Sequence, residues 1–190
     1  MKPKLKRSLR FSLTIAVITF VLAAIFSVIS SSLLNGMPWM IGLILVFIIV
    51  LTGVTFDMLG IAATAGQEAP FHSMASEKVS GAKEAVIIVR NADRFATFCN
   101  DVIGDIAGII SGTASAVVVL QLAIAFGNGD GSTLQLVLSV IMTSIIAALT
   151  VGGKAIGKYL AINYSTNIIF FAARIIAKIE KYTKWKVLSK

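Results

Sequence analysis

The chain has one cysteine and one histidine in 190 residues. Cys99 alone can form no internal disulfide and no multi-cysteine zinc site, and His72 alone excludes a histidine-rich metal cluster or relay. Charge is also scarce. Charged residues make up 14% of the chain, against about 25% in soluble domains, so a water-soluble surface lacks the charges it needs. Acids are the scarcest, with 9 Asp+Glu against 17 Lys+Arg and a net charge of +8. In so apolar a chain this basic excess points to the anionic inner leaflet of a membrane and not to nucleic acid.

Apolar residues fill the space left by charge. They make up 57% of the chain, and mean hydropathy is +0.90. A helix crossing a bilayer core needs about 20 apolar residues. Four uncharged stretches reach that length: Phe11 to Leu34, Gly36 to Phe56, Ile106 to Gly129 and Gly131 to Gly153. They predict spans at about 11–34, 37–59, 95–126 and 132–153. A fifth stretch, Tyr159 to Ala173, is too short to cross. The first stretch follows a basic head, but it exceeds the roughly 7–15 residues of a signal core and ends in no small-x-small cleavage site, so it reads as a retained helix.

All seventeen basic residues lie in 1–10, in the segment between the second and third spans, or after the fourth span. The turns near Asn35–Pro38 and Gly127–Gly131 have none. The positive-inside rule then places both termini in the cytoplasm of a plasma membrane, on a prokaryotic reading, and an even number of spans agrees. The fold class is therefore all-α, a single polytopic membrane domain over residues 1–190. The segment 66–94 reads as an inner-face helical hairpin, opened by Pro70 and divided at Gly81. His72 lies there and reads as structural. Residues 160–186 read as a basic amphipathic juxtamembrane helix, with Arg174, Lys178 and Lys181 on one face and Trp185 at the interface.

An acid at bilayer depth costs about 2.5–3.5 kcal/mol on insertion scales, so it faces a cavity or a partner. Asp57, Asp101 and Asp105 are the candidates. Asp101 and Asp105 are spaced to share a helix face. They coordinate or release a cation or proton, or else they snorkel or pair with Lys154 or Lys158. Beside them Asn100, Gly104, Gly108, Gly112 and Ala116 recur every four residues, a ridge on which another helix can pack closely. Oxygen-only ligands suit hard cations such as Mg2+ or Ca2+. The stretch Gly152-Gly-Lys-Ala-Ile-Gly-Lys158 matches a phosphate-loop spacing but lacks the following Ser/Thr and the preceding strand, so no ATP site is expected. The double glycine reads instead as a break that frees a carbonyl.

Four features in order carry a family resemblance: Thr52-Gly-Val-Thr-Phe-Asp57 closing a span, a hairpin ending Val89-Arg-Asn-Ala-Asp-Arg-Phe95, Phe98-Cys-Asn-Asp-Val-Ile103 opening the next span, and Gly153-Lys-Ala-Ile-Gly-Lys158 before a basic helix. Over about Leu45 to Lys178 the chain resembles the transmembrane domain of the CNNM/CorC (CorB-like) magnesium transporters, without their CBS modules. The resemblance implies a homodimer and a membrane site for Mg2+. That site would use Asn100, the carbonyls of Ala96 and Gly153, and a hydroxyl or carboxylate from Thr55 or Asp57. Asp101 and Asp105 would add charge that the family site lacks. Lys154 stands where the family has an acid, and Gly157 where it has proline. Without the modules, no ATP regulation through them is expected.

The function read from these features is transport of a divalent cation, Mg2+ first, by alternating access, with Na+ or H+ as a coupling ion. The alternative is a non-transporting membrane subunit that associates through the glycine ridge. An enzyme is not expected: Asp101 and Asp105 come from one helix, no nucleophile–base pair accompanies them, and Cys99 has no histidine near it in the sequence.

Overall fold

The computed structural model describes residues 3–34, 36–126 and 133–183, and the regular structure among them is entirely helical. The order is α1 (Pro3–Leu34), α2 (Trp39–Ala65), α3 (Glu68–Ser76), α4 (Ala82–Arg90), α5 (Ala92–Thr97), a π-helical segment (Phe98–Gly104), α6 (Asp105–Ala125), α7 (Thr133–Asn163) and α8 (Ser165–Thr183). Four helices are long and apolar enough to cross a membrane: Leu9–Ser32, Trp39–Ala65, Ala92–Ala125 and Thr133–Asn163. Large apolar side chains cover their outer surfaces. Phe20 is 75% exposed and Val151 68% exposed, a cost in water that lipid removes. The chain is an integral membrane protein.

Several element bounds differ from the sequence reading. The second span does not end at residue 59 but continues to Ala65. The third is not one regular helix, because a seven-residue π segment interrupts it. The double glycine does not break the fourth span: α7 runs through Gly152 and Gly153 to Asn163, ten residues beyond the last apolar run. A β-carbon on Gly153 would lie 3.0 Å from Val54 Cγ2, so this glycine serves close helix approach instead. The juxtamembrane helix starts at Ser165 after a turn at Tyr164, not at residue 160. The outer turn Gly127–Gly131, Asn35, and the C-terminal stretch with Trp185 lie outside the described residues.

The chain divides into two compact units, 1–54 with 102–153, and 55–101 with 154–190. In the first, α1 packs along α6. Ile15, Leu22 and Ala23 of α1 lie against buried Val102, Ile106 and Ile110. Leu34, Val46, Ala114 and Val118 form a second cluster, joined by Trp39 at the start of α2. The Gln121 side-chain amide donates to the Leu34 carbonyl at 2.8 Å, supplying a partner for a terminal carbonyl of α1.

In the second unit α4 packs on both α3 and α8. Its sequence, Ala-Lys-Glu-Ala-Val-Ile-Ile-Val-Arg, puts Ala82, Ala85, Val86 and Ile88 on the buried side. They join Ala62 and Ala63 of α2, Phe71 of α3, Ala161 of α7, and Ile169 and Ala173 of α8 in one core. The many alanines let the helix backbones come close, and Phe71, fully buried, fills the space that remains. Pro70 sits in the first turn of α3, where its missing N–H costs nothing. Glu68 accepts from Arg90 Nη2 at 2.8 Å and lies 3.1 Å from His72 Nε2, which ties α3 to the end of α4. Arg90, and after it His72, hold the Glu68 carboxyl below its ordinary value. This tie is in place above the usual carboxylate range and is lost as pH falls through the lowered value.

Gly81 separates the hairpin helices with φ +92°, a left-handed conformation. A β-carbon there would also lie 2.9 Å from Arg174 Cα of α8. Both effects predict that Gly81→Ala lowers the unfolding free energy by about 2 kcal/mol or more. Thermal unfolding in detergent checks this against Gly152→Ala, whose added methyl meets nothing within 4 Å. Equal midpoints for the two variants would contradict this account of the turn.

Candidate cation site

The π segment carries the main polar feature of the second unit. A π-helix closes i→i+5 hydrogen bonds, and short runs of it are frequent at functional sites. Asn100 lies in this segment, and its Oδ1 is buried with no hydrogen-bond partner. Leaving a buried amide oxygen unpaired costs about 1–3 kcal/mol. The side chain rests against Gly60 of α2, where a β-carbon would overlap the Asn100 amide. Glycine at position 60 is therefore what gives the amide its place. Ala96, the proposed carbonyl donor one turn earlier, is buried on α5.

Asp57 does not stand as a free carboxylate. Its Oδ1 lies 3.4 Å from Lys154 Nζ, with the two side chains 14% and 33% exposed. Lys154 on α7 is matched by a carboxylate on α2. Among the described residues Lys154 is thus paired with Asp57, and neither Asp101 nor Asp105 forms an ion pair with Lys154 or Lys158. Thr55 and Asp101 are exposed in the second unit. Asp105, also exposed, opens α6 in the first unit, and Gly153 lies there against Val54. The Gly153 carbonyl sits within a continuous helix and not at a break.

Among the described residues, no three or more His, Cys, Asp or Glu side chains come together as a metal cluster. Any ion held here would rest mainly on neutral oxygens such as Asn100 Oδ1, which suits a hard cation and not a soft one. Around Lys154 the segment 152–158 is helical throughout, where a phosphate loop requires a strand, a loop and a helix start.

Two polar positions escaped the sequence reading. Ser30 Oγ and Gln121 Oε1, in the first unit, are also buried without partners. Gln121 is an amide in a long apolar run, and Ser30 is the first of three consecutive serines near the end of one, which is the signal the sequence carries for each. On the ridge, added β-carbons at Gly108 and Gly112 would meet nothing within 4 Å, so this face of α6 is open. No protein-family model, curated protein or solved structure matches the chain.

The contact between Gly60 and Asn100 gives a prediction. Gly60→Ala forces the amide to turn away and destabilises the protein. In a double-mutant cycle with Asn100→Ala the two changes couple by about 1 kcal/mol. Additive effects in thermal unfolding would mean that Gly60 does not seat the amide.

Proposed function

We propose that the protein carries a divalent cation, Mg2+ first among the hard cations, across the membrane, with Asn100 at the ion site. One observation carries this reading: a buried amide oxygen without a partner, in a π segment of an apolar span, seated on a glycine. The likeness to CNNM/CorC transporters, which selects the same asparagine from sequence, supports it. The ion is substrate here, not a resident cofactor.

In this proposal Asn100 Oδ1 replaces one water of the ion's shell, and the Ala96 carbonyl, with Thr55 or Asp57, supplies another oxygen. Lys154 competes with the ion for Asp57 by charge. A dication approaching Asp57 would release the ammonium, and the ammonium would return when the ion left. The site would then bind without carrying a lasting net negative charge. Asp101 would attract the ion, and Na+ or H+ would be the coupling ion. By the positive-inside rule, both termini would be cytoplasmic in a prokaryotic plasma membrane.

The open ridge at Gly108 and Gly112 favours a second reading, association with another helix. It supports a homodimer of the transporter. Alone, it would also serve a non-transporting subunit.

Flux in liposomes tests the proposal. Asn100→Ala and Asp101→Asn should each abolish Mg2+ movement without lowering the unfolding midpoint by more than a few degrees. Unchanged flux in both variants would reject the site. Calorimetry of the purified protein separates the two readings, since a carrier takes up heat or releases it on Mg2+ addition and a mere scaffold gives dilution heat only.

A further inference from the structure

The second unit contains a cavity of about 760 Å3 that the cation reading does not use. It falls within the roughly 300–1,000 Å3 typical of small-molecule sites. Phe56 and Leu59 of α2, Phe98 of the π segment, and Ile175, Ile176 and Ile179 of α8 form its apolar wall. Its polar lining is Asn91 and Arg94. Arg94 is exposed and has no ion-pair partner among the described residues.

The lining is apolar apart from Asn91, Arg94 and the thiol of Cys99, and the order along the chain gives that contrast a direction. Arg94 is two residues into the candidate span Ala92–Ala125, and Phe98 lies about 6 Å deeper along the helix. Arg94 is therefore nearer the end of the candidate span, and Phe98 of the apolar wall lies further into it. On α8, the exposed Arg174, Lys178 and Lys181 add positive charge beside Ile175 and Ile179. An amphipathic helix of this kind lies at the interface and attracts anionic lipid.

We infer that this cavity is a site for one anionic phospholipid, with an acyl chain against Phe56, Phe98 and Ile176 and the phosphate on Arg94. A lipid matches both parts of the lining, its acyl chain the apolar wall and its phosphate Arg94. A zwitterionic lipid would bring a second positive charge to Arg94. The inference rests on the chain's being a membrane protein and is independent of the cation proposal.

Native mass spectrometry of the full chain in mild detergent tests it, with equal amounts of phosphatidylglycerol and phosphatidylcholine of the same long acyl chains. The wild type should retain phosphatidylglycerol selectively. Arg94→Gln should weaken that retention about fivefold, the size of one basic residue at a lipid surface. Lys83→Gln, which removes an exposed base of α4 that does not line the cavity, should leave it unchanged. Short-chain phosphatidylglycerol should not be retained, because the apolar wall would stay empty. Equal retention of both lipids, no effect of Arg94→Gln, an equal effect of Lys83→Gln, or binding of the short-chain lipid would each overturn the inference. So would a dimer that excludes lipid, which would mean that a second copy fills the cavity.

Discussion

A polar atom placed among apolar helices must find a partner or pay for its absence, and lipid offers none. Most of this chain meets that constraint by having few such atoms. Where polar groups do occur at depth, hydroxyls turn back on their own helix, as Thr52 does to Ile48 and Thr150 to Ile146. Asp57 and Lys154 meet it by pairing. Asn100 does not meet it within the chain. Among the described residues Ser30 Oγ and Gln121 Oε1 are unpaired as well, but of the three the Asn100 amide alone lies in a π segment against a glycine, and the functional proposal follows from that combination.

The four helices long and apolar enough to cross a membrane were legible because an uncharged apolar run of that length has few alternatives. The hairpin was legible through Pro70 and Gly81, whose backbone preferences mark a helix start and a left-handed turn. Helix ends were less so. The sequence reading stopped the fourth span at Gly152-Gly153, since each glycine costs about 1 kcal/mol in a helix. Gly153 nevertheless packs close to Val54 within a continuous helix, and α7 runs on through Lys154 and Lys158. A helix can leave the apolar layer without ending, and hydropathy does not record the difference.

The candidate site was legible only in part. Asn100 stood out as an amide at the start of a long apolar run. The π widening around it has no local signature, because Phe-Cys-Asn-Asp-Val-Ile-Gly would also fit an α-helix. The partner of Asp57 was hidden by distance along the chain. Lys154 was read against Asp101 and Asp105, whereas its ammonium lies beside a carboxylate from another helix. That pairing alters the electrostatics of the proposal, because Asp57 supplies the charge opposite to Lys154.

The central claim is that Asn100 Oδ1 is an ion ligand. The most direct measurement is anomalous scattering from the protein with Mn2+ in place of Mg2+. The account predicts a peak within about 2.5 Å of Asn100 Oδ1, lost in Asn100→Ala. Mn2+ bound elsewhere with that atom still unligated, or a peak that persists in Asn100→Ala, would contradict it.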